Sequence, residues 1–152
     1  MAAGNLDVKR NLLSQDRFGD WMLLKLDTCL GAIVGFVEIN SSAVTSSSLA
    51  LSGNSFQSAG FRNRWDWRQG PAFDRSCMIK VISPRQLWND CDVRPGDSGG
   101  PLFDSVIVGG KTKYRVLGIQ SAETIPDPVY GSVIAVRIDA IYSSIAPILE
   151  RS

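Results

Sequence analysis

The chain has 152 residues with sixteen basic, fifteen acidic and no histidine side chains, so its formal charge is only +1. That balance gives no electrostatic case for nucleic acid or anionic membrane as the main partner, while 44% hydrophobic content is enough for a packed core of one domain or a small pair of subdomains. The longest apolar run, residues 29–37, is far too short to cross a bilayer, and the opening MAAGNLDVKRN lacks the apolar stretch of a secretory leader.

In chain order, DWMLLKLD (20–27) is a compact apolar run, and AIVGFVEI (32–39) reads as a second strand. SSAVTSSS (41–48) is a polar connection. Residues 56–61 and 77–82 read as strands. Between them RNRWDWRQGP (62–71) reads as a loop carrying Arg62, Arg64, Trp65, Trp67 and Arg68. Such a loop either packs its own tryptophans or offers residues favoured in protein–protein contacts. SVIVGGKTKYRVLGIQS (105–121) holds two strand-like runs divided by Gly109 and Gly110, a hairpin signature, and residues 130–138 form another strand. At the end Ile138, Ile141, Ile145 and Ile148 recur every three to four residues, which predicts a helix with one apolar face. Asp139 stands where it can cap that helix, and Pro147 where it can stop or kink it. The pattern is all-β with a C-terminal α-helix.

Cys29, Cys77 and Cys91 show no metal-binding spacing, and without histidine a zinc site is not expected; no other cofactor is implied. Cys77 and Cys91 are spaced either to close a short disulfide loop or to lie as buried thiols, and spacing leaves both open. Cys29 is unpaired under either reading.

The segment with chemistry in it is RPGDSGGPLFD (94–104). A serine hydroxyl is a weak nucleophile that must be aimed and activated. Glycines beside it free the backbone and let a carbonyl approach closely. The N–H groups of Gly96 and Ser98 are then able to converge on a developing oxyanion, where one donor is worth roughly 100- to 1,000-fold in rate.

GDSGGP resembles the nucleophile motif of the trypsin/chymotrypsin family of serine proteases. DWMLLKLD resembles the segment around that family's catalytic aspartate. SAGFRN, SCMIKV and LWNDCDVRPGDSGGPLFD resemble its bacterial glutamyl-endopeptidase-like branch, and YRVLGIQSAE resembles the strand lining the substrate groove. These matches keep the family's order from Asp20 to the C-terminal helix. The resemblance implies a double β-barrel, present here largely as the second barrel with the last strands of the first: a remnant over 1–40, the second barrel over 50–138 and the helix over 139–150. It implies Ser98 as nucleophile, Gly96 and Ser98 as oxyanion donors and Asp20 as the acid that orients a histidine. Ser121 is implied as support for Asp20, and Asp97 as the buried acid that orders the loop. For the substrate pocket it implies Asp92, Gln120, Ser121 and Glu123. Asp92 and Glu123 point to a basic substrate residue. Gln120 and Val93 replace the histidine and threonine that the glutamyl-specific branch uses.

The absent histidine sets the limit. Lys25 and Lys80 fall in strand patterns with nothing to mark either as a substitute base. In the family the histidine precedes the aspartate, so the chain reads as truncated before it, with sheet edge and core surface left exposed and a partner or upstream segment needed. The expected function is serine endopeptidase, inactive in this form, acting on polypeptide and secreted when whole. The alternative is a non-catalytic homologue that binds proteins.

Overall fold

The computed structural model describes residues 2–3, 19–50, 55–62, 70–124 and 131–150. Residues 63–69, which carry most of the Arg/Trp loop, and Tyr130 lie outside the described residues. Ten strands and three helices follow one another: β1 (Ala2–Ala3), β2 (Met22–Leu23), α1 (Gly31–Val34), β3 (Glu38–Ile39), α2 (Ser46–Ala50), β4 (Phe56–Gly60), β5 (Ala72–Cys77), β6 (Ile79–Ile82), β7 (Gln86–Asn89), β8 (Pro101–Val108), β9 (Lys111–Glu123), β10 (Val133–Arg137) and α3 (Ile138–Leu149), counted among the described residues.

Seven strands form an antiparallel sheet in the order β5-β4-β8-β9-β10-β7-β6, with β3 added in parallel to β9. The sheet curls into a half-barrel. Its two end strands, β5 and β6, are neighbours in sequence across Met78. The curl is pinned where they meet. Met78 and Asp90 exchange hydrogen bonds (Met78 N–H to Asp90 Oδ1, 2.6 Å; Asp90 N–H to Met78 O, 3.2 Å), and a disulfide joins Cys77 to Cys91. The bridge resolves the choice that spacing left open. Cys29 is free and exposed.

Each predicted element has a local reason to form or fail. Gly109 and Gly110 both adopt positive φ (58° and 77°), the tight two-residue turn that lets β8 and β9 pair over eight register positions from Pro101–Ile119 to Val108–Lys111. The isoleucine periodicity gives α3, whose Ile138, Ile141 and Ile145 are buried, with Val136, Ile138 and Ile141 packing with Trp21, Val116 and Ile119 on one face of the sheet. The opposite face holds the main core of Phe56, Leu87, Leu102, Leu117, Val133 and Ala135.

Two details differ from expectation. Asp139 does not cap α3. The helix starts after an extended Arg137 with no side-chain cap, and the Asp139 carboxylate instead takes the Val44 N–H and the Arg137 guanidinium. Pro147 does not stop the helix, which runs to Leu149. Its missing N–H falls two residues before the end, where Ser143, whose carbonyl loses the bond, is exposed to water.

The larger departure is residues 32–39, which are not one strand. Residues 31–34 make a single helical turn closed by Val34 N–H to Leu30 O and Gly35 N–H to Gly31 O, and only Glu38–Ile39 pairs with β9. An apolar run becomes a strand where a neighbouring strand receives it along its length, and here it finds one for only two residues. Its side chains stay out: Ile33, Val34, Phe36 and Val37 are exposed, as are Met22, Leu24 and Leu26 before them. The serine-rich connection is also more ordered than its composition indicates. Thr45 and Ser48 trade side-chain–backbone hydrogen bonds (3.1 and 2.9 Å), a reciprocal cap that starts α2.

Candidate functional site

The loop from Val93 to Gly100 is built by two successive turns, Asp97 N–H to Arg94 O and Gly100 N–H to Asp97 O, each 2.9 Å. It is fastened to β9 by a reciprocal pair: Gly99 N–H to Gln120 O and Gln120 N–H to Gly100 O, each 2.8 Å. Gly100 is required here. A Cβ at that position would stand 2.2 Å from the Ala59 carbonyl oxygen, so the loop lies directly on β4. Gly96 has φ 103°, a conformation closed to most side chains. Ser98 is exposed at the tip. Among the described residues neither the Gly96 nor the Ser98 N–H has an acceptor.

Ser98 separates two hollows. One, of about 480 Å³, is bounded by Ala59, Gly60, Phe61, Pro71 and the loop itself. The other, of about 250 Å³, lies between Val93–Pro95 and the end of β9, and is lined by Gln120, Ser121, Ala122 and Glu123. Asp20 reaches the same place from a distant part of the chain: Ser121 Oγ donates to Asp20 Oδ2 at 2.5 Å, across 101 residues. Trp21 packs beside α3 and holds this segment against the sheet.

Ser98, Ser121 and Glu123 therefore line one hollow, Gly96 and Ser98 line the other, and Asp20 is joined to the first through its hydrogen bond with Ser121. Gln120 is adjacent but turned inward. It is 1% exposed and its amide spans Ser58 Oγ (3.2 Å) and Asn89 Nδ2 (3.4 Å), so its side chain supports the sheet beneath the loop and is not presented to a substrate. Asp92 is apart. Its carboxylate is taken by Arg62 (3.2 Å) and Arg94 (2.9 Å), its N–H goes to Asp74 Oδ2 (2.7 Å), and it lines neither hollow. Lys80 is also committed, to Asp90 at 2.8 Å. Burial by itself raises the Asp90 pKa, but hydrogen bonds from Lys80 and the Met78 N–H and the Lys80 charge outweigh it and hold the carboxyl below its ordinary range. Neither Lys80 nor Lys25 lines a hollow.

Asp97 is 3% exposed. Its Oδ2 accepts the Arg94 N–H (3.0 Å) and Arg62 Nε (3.3 Å), and Oδ1 has no hydrogen-bond partner among the described residues. Arg62 also donates to the Asp92 carbonyl at 2.6 Å, so one guanidinium ties the start of the serine loop to the residue just before Ser98. Nothing in the sequence around Arg62 signals this, because its partners lie 30 and 35 residues on. Chemically the site offers an exposed Ser98 hydroxyl, two backbone N–H groups of the same loop without an acceptor among the described residues, and a carboxylate bonded to Ser121. The sequence supplies no histidine to it.

No protein-family model matches the chain, and no curated protein is similar enough to count as a relative.

Proposed function

We propose that this chain is the serine-bearing part of a trypsin-like serine endopeptidase, with Ser98 as nucleophile, Gly96 and Ser98 N–H groups as oxyanion donors and Asp20 as the orienting acid. The half-barrel of β4–β10 is read as the second of two barrels, and residues 20–39 as the end of the first. The observation that carries this reading is the Ser121–Asp20 hydrogen bond beside the Ser98 loop. The Asp, the groove serine and the nucleophile motif are separate in sequence, and a chance GDSGGP turn has no reason to stand next to a distant carboxylate held in this way.

In the mechanism a base takes the Ser98 proton as Oγ attacks the substrate carbonyl carbon. The carbonyl oxygen becomes the oxyanion held by the two N–H groups, and the protonated base then gives its proton to the departing amine. Water completes the cycle by releasing the acyl group from Ser98. No histidine is encoded in this sequence, so the chain alone does not turn over peptides near neutral pH. With Asp92 paired to arginines away from both hollows, Glu123, which lines the smaller one, is the residue that would favour a basic substrate group. The disulfide supports an oxidising, extracellular setting. The exposed apolar run from Met22 to Val37 favours a second reading, a homologue that binds a protein partner without catalysis.

Hydroxide can stand in for the missing base. At about pH 10, over hours, a fluorophosphonate is expected to modify Ser98 ahead of every other serine, read by peptide mapping and abolished in Ser98→Ala. Modification spread evenly over exposed serines of a folded chain would leave only the binding reading.

A further inference from the structure

We infer that the outer face of the sheet carries a second ligand site, a hollow over β4 suited to a small aromatic carboxylate. The hollow measures about 360 Å³, at the small end of the ~300–1,000 Å³ usual for ligand sites. It does not depend on the reading of Ser98. Apart from Ala59 and Pro101 it shares no lining residue with the two hollows beside that serine.

Alternation along the strands builds it. Gln57 and Ala59 on β4, Phe73 and Arg75 on β5, and Pro101 and Phe103 on β8 line it as two-residue steps, while the alternating Phe56, Ser58 and Leu102 are buried in the core. Ala59 is opposite Phe73, and Gln57 is opposite Phe103. The short Ala59 side chain therefore lies between strands that each carry an aromatic ring, and the depression over it is the hollow. Tyr114 on β9 bounds the far side, its ring edge-on to Phe103 at 6.0 Å. Phe73 and Tyr114 are 51% and 47% exposed, so a ring placed among them would take apolar surface out of water.

The charge comes from Arg75. Its guanidinium lies 5.5 Å from the centre of the Phe73 ring, and among the described residues it has no carboxylate partner. The neighbouring acids are taken. Asp74 holds the Ser76 and Asp92 N–H groups (3.1 and 2.7 Å), Glu38 holds Lys113 (2.6 Å) and Asp104 holds Arg115 (3.0 Å). A guanidinium with one face on a ring keeps its edge of N–H donors free, and that edge matches the two oxygens of a carboxylate. Among the described residues Arg75 is the single cation lining the hollow and no acid lines it, which suits a singly charged anion with an aromatic body.

The test is a titration of the intact, isotope-labelled chain with naphthoate, followed by amide NMR shifts, with the neutral naphthalenemethanol as comparison. Naphthoate is expected to shift the Gln57, Phe73, Arg75 and Phe103 amides saturably, in the weak range open to so small a ligand. It should bind at least ~3-fold more tightly than the alcohol, the scale of one solvent-exposed ion pair with hydrogen bonds. Arg75→Gln should remove that preference and leave the alcohol bound as before, an outcome that loss of fold would not give. Ala59→Leu fills the hollow and should abolish saturable shifts with both probes, circular dichroism melts establishing that each variant folds. Equal affinity for the two probes in the parent chain would overturn the carboxylate assignment. Shifts that never saturate, or that fall only on the exposed run from Met22 to Phe36, would overturn the site itself. Concentration-dependent broadening of the hollow's amides before any probe is added would place a second copy of the chain on this face and would also overturn it.

Discussion

Replacing Asp139 with alanine tests how the helix is anchored to the sheet. Asp139 and Arg137 are side by side at the start of α3, with side chains only 7% and 10% exposed. Arg137 donates to Asp139, to the Ser83 carbonyl at 2.6 Å and to the Val44 carbonyl, and Asp139 accepts the Val44 N–H at 2.9 Å. The pair thus ties three segments: the residues before α2, the β6–β7 turn and the β10–α3 junction. Removing one partner of a buried ion pair leaves the other charge uncompensated, at about 3–5 kcal/mol. Arg137 keeps two carbonyl acceptors, so the lower end, about 3 kcal/mol, is expected for Asp139→Ala. With a urea m-value of roughly 2 kcal/mol/M, the unfolding midpoint should fall by about 1.5 M. The pH dependence has a definite sign. Burial by itself raises the Asp139 pKa, but the Arg137 hydrogen bond and charge and the Val44 N–H more than reverse this and hold it below its ordinary 3.8. A depressed carboxylate stabilises the fold above its unfolded pKa and loses that contribution as pH falls through the lower native value. The gap between parent and variant should therefore be constant between about pH 5 and 8 and narrow in acid. A gap below about 1 kcal/mol at neutral pH, or one equally wide at about pH 2.5, would refute the reasoning.

Two further outcomes follow from the same contacts. Reducing Cys77–Cys91, whose cysteines are 14 residues apart, should cost about 3 kcal/mol through loop-closure entropy, seen as a melting temperature lower by roughly 6–12 °C. Both cysteines are buried, so reduction in native buffer should be slow until denaturant is added. Gly100→Ala places a Cβ 2.2 Å from the Ala59 carbonyl oxygen and must move the loop off β4. Selective modification of Ser98 at alkaline pH should drop at least ~10-fold while the circular dichroism spectrum is kept, and unchanged selectivity would show that loop position does not govern reactivity.

What could be read from the sequence was local. The β8–β9 turn depends on two adjacent glycines, α3 on isoleucines a helical turn apart, and the serine loop on glycines within three residues of Ser98. What could not be read depends on distant partners. β7 was not visible because its burial falls on Gln86 and Asn89 as well as Leu87, polar side chains tolerated inside by hydrogen bonds such as Asn89 to Gln120 and to the Val133 carbonyl. β5 reads Ala-Phe-Asp-Arg-Ser-Cys, with exposed Phe73 and Arg75 on one face, so its weak apolar alternation marks no core-facing strand. Residues 32–39 misled in the opposite direction, because apolar, β-branched composition predicts a strand only where a neighbouring strand exists to receive it. In the candidate site, motif resemblance singled out Asp20 and Ser98. The inward turn of Gln120 and the capture of Asp92 by Arg62 and Arg94 were set by tertiary contacts.

The most direct measurement is a crystal structure of the Ser98 phosphonyl adduct formed at alkaline pH. The phosphoryl oxygen stands where the oxyanion of an acyl transfer would be. The account predicts that oxygen within about 2.7–3.1 Å of both the Gly96 and the Ser98 backbone nitrogens, with Asp20 still bonded to Ser121. A phosphoryl oxygen turned to solvent, or a Gly96 N–H directed away from it in an otherwise intact loop, would contradict the assignment of this loop as an oxyanion-binding nucleophile site.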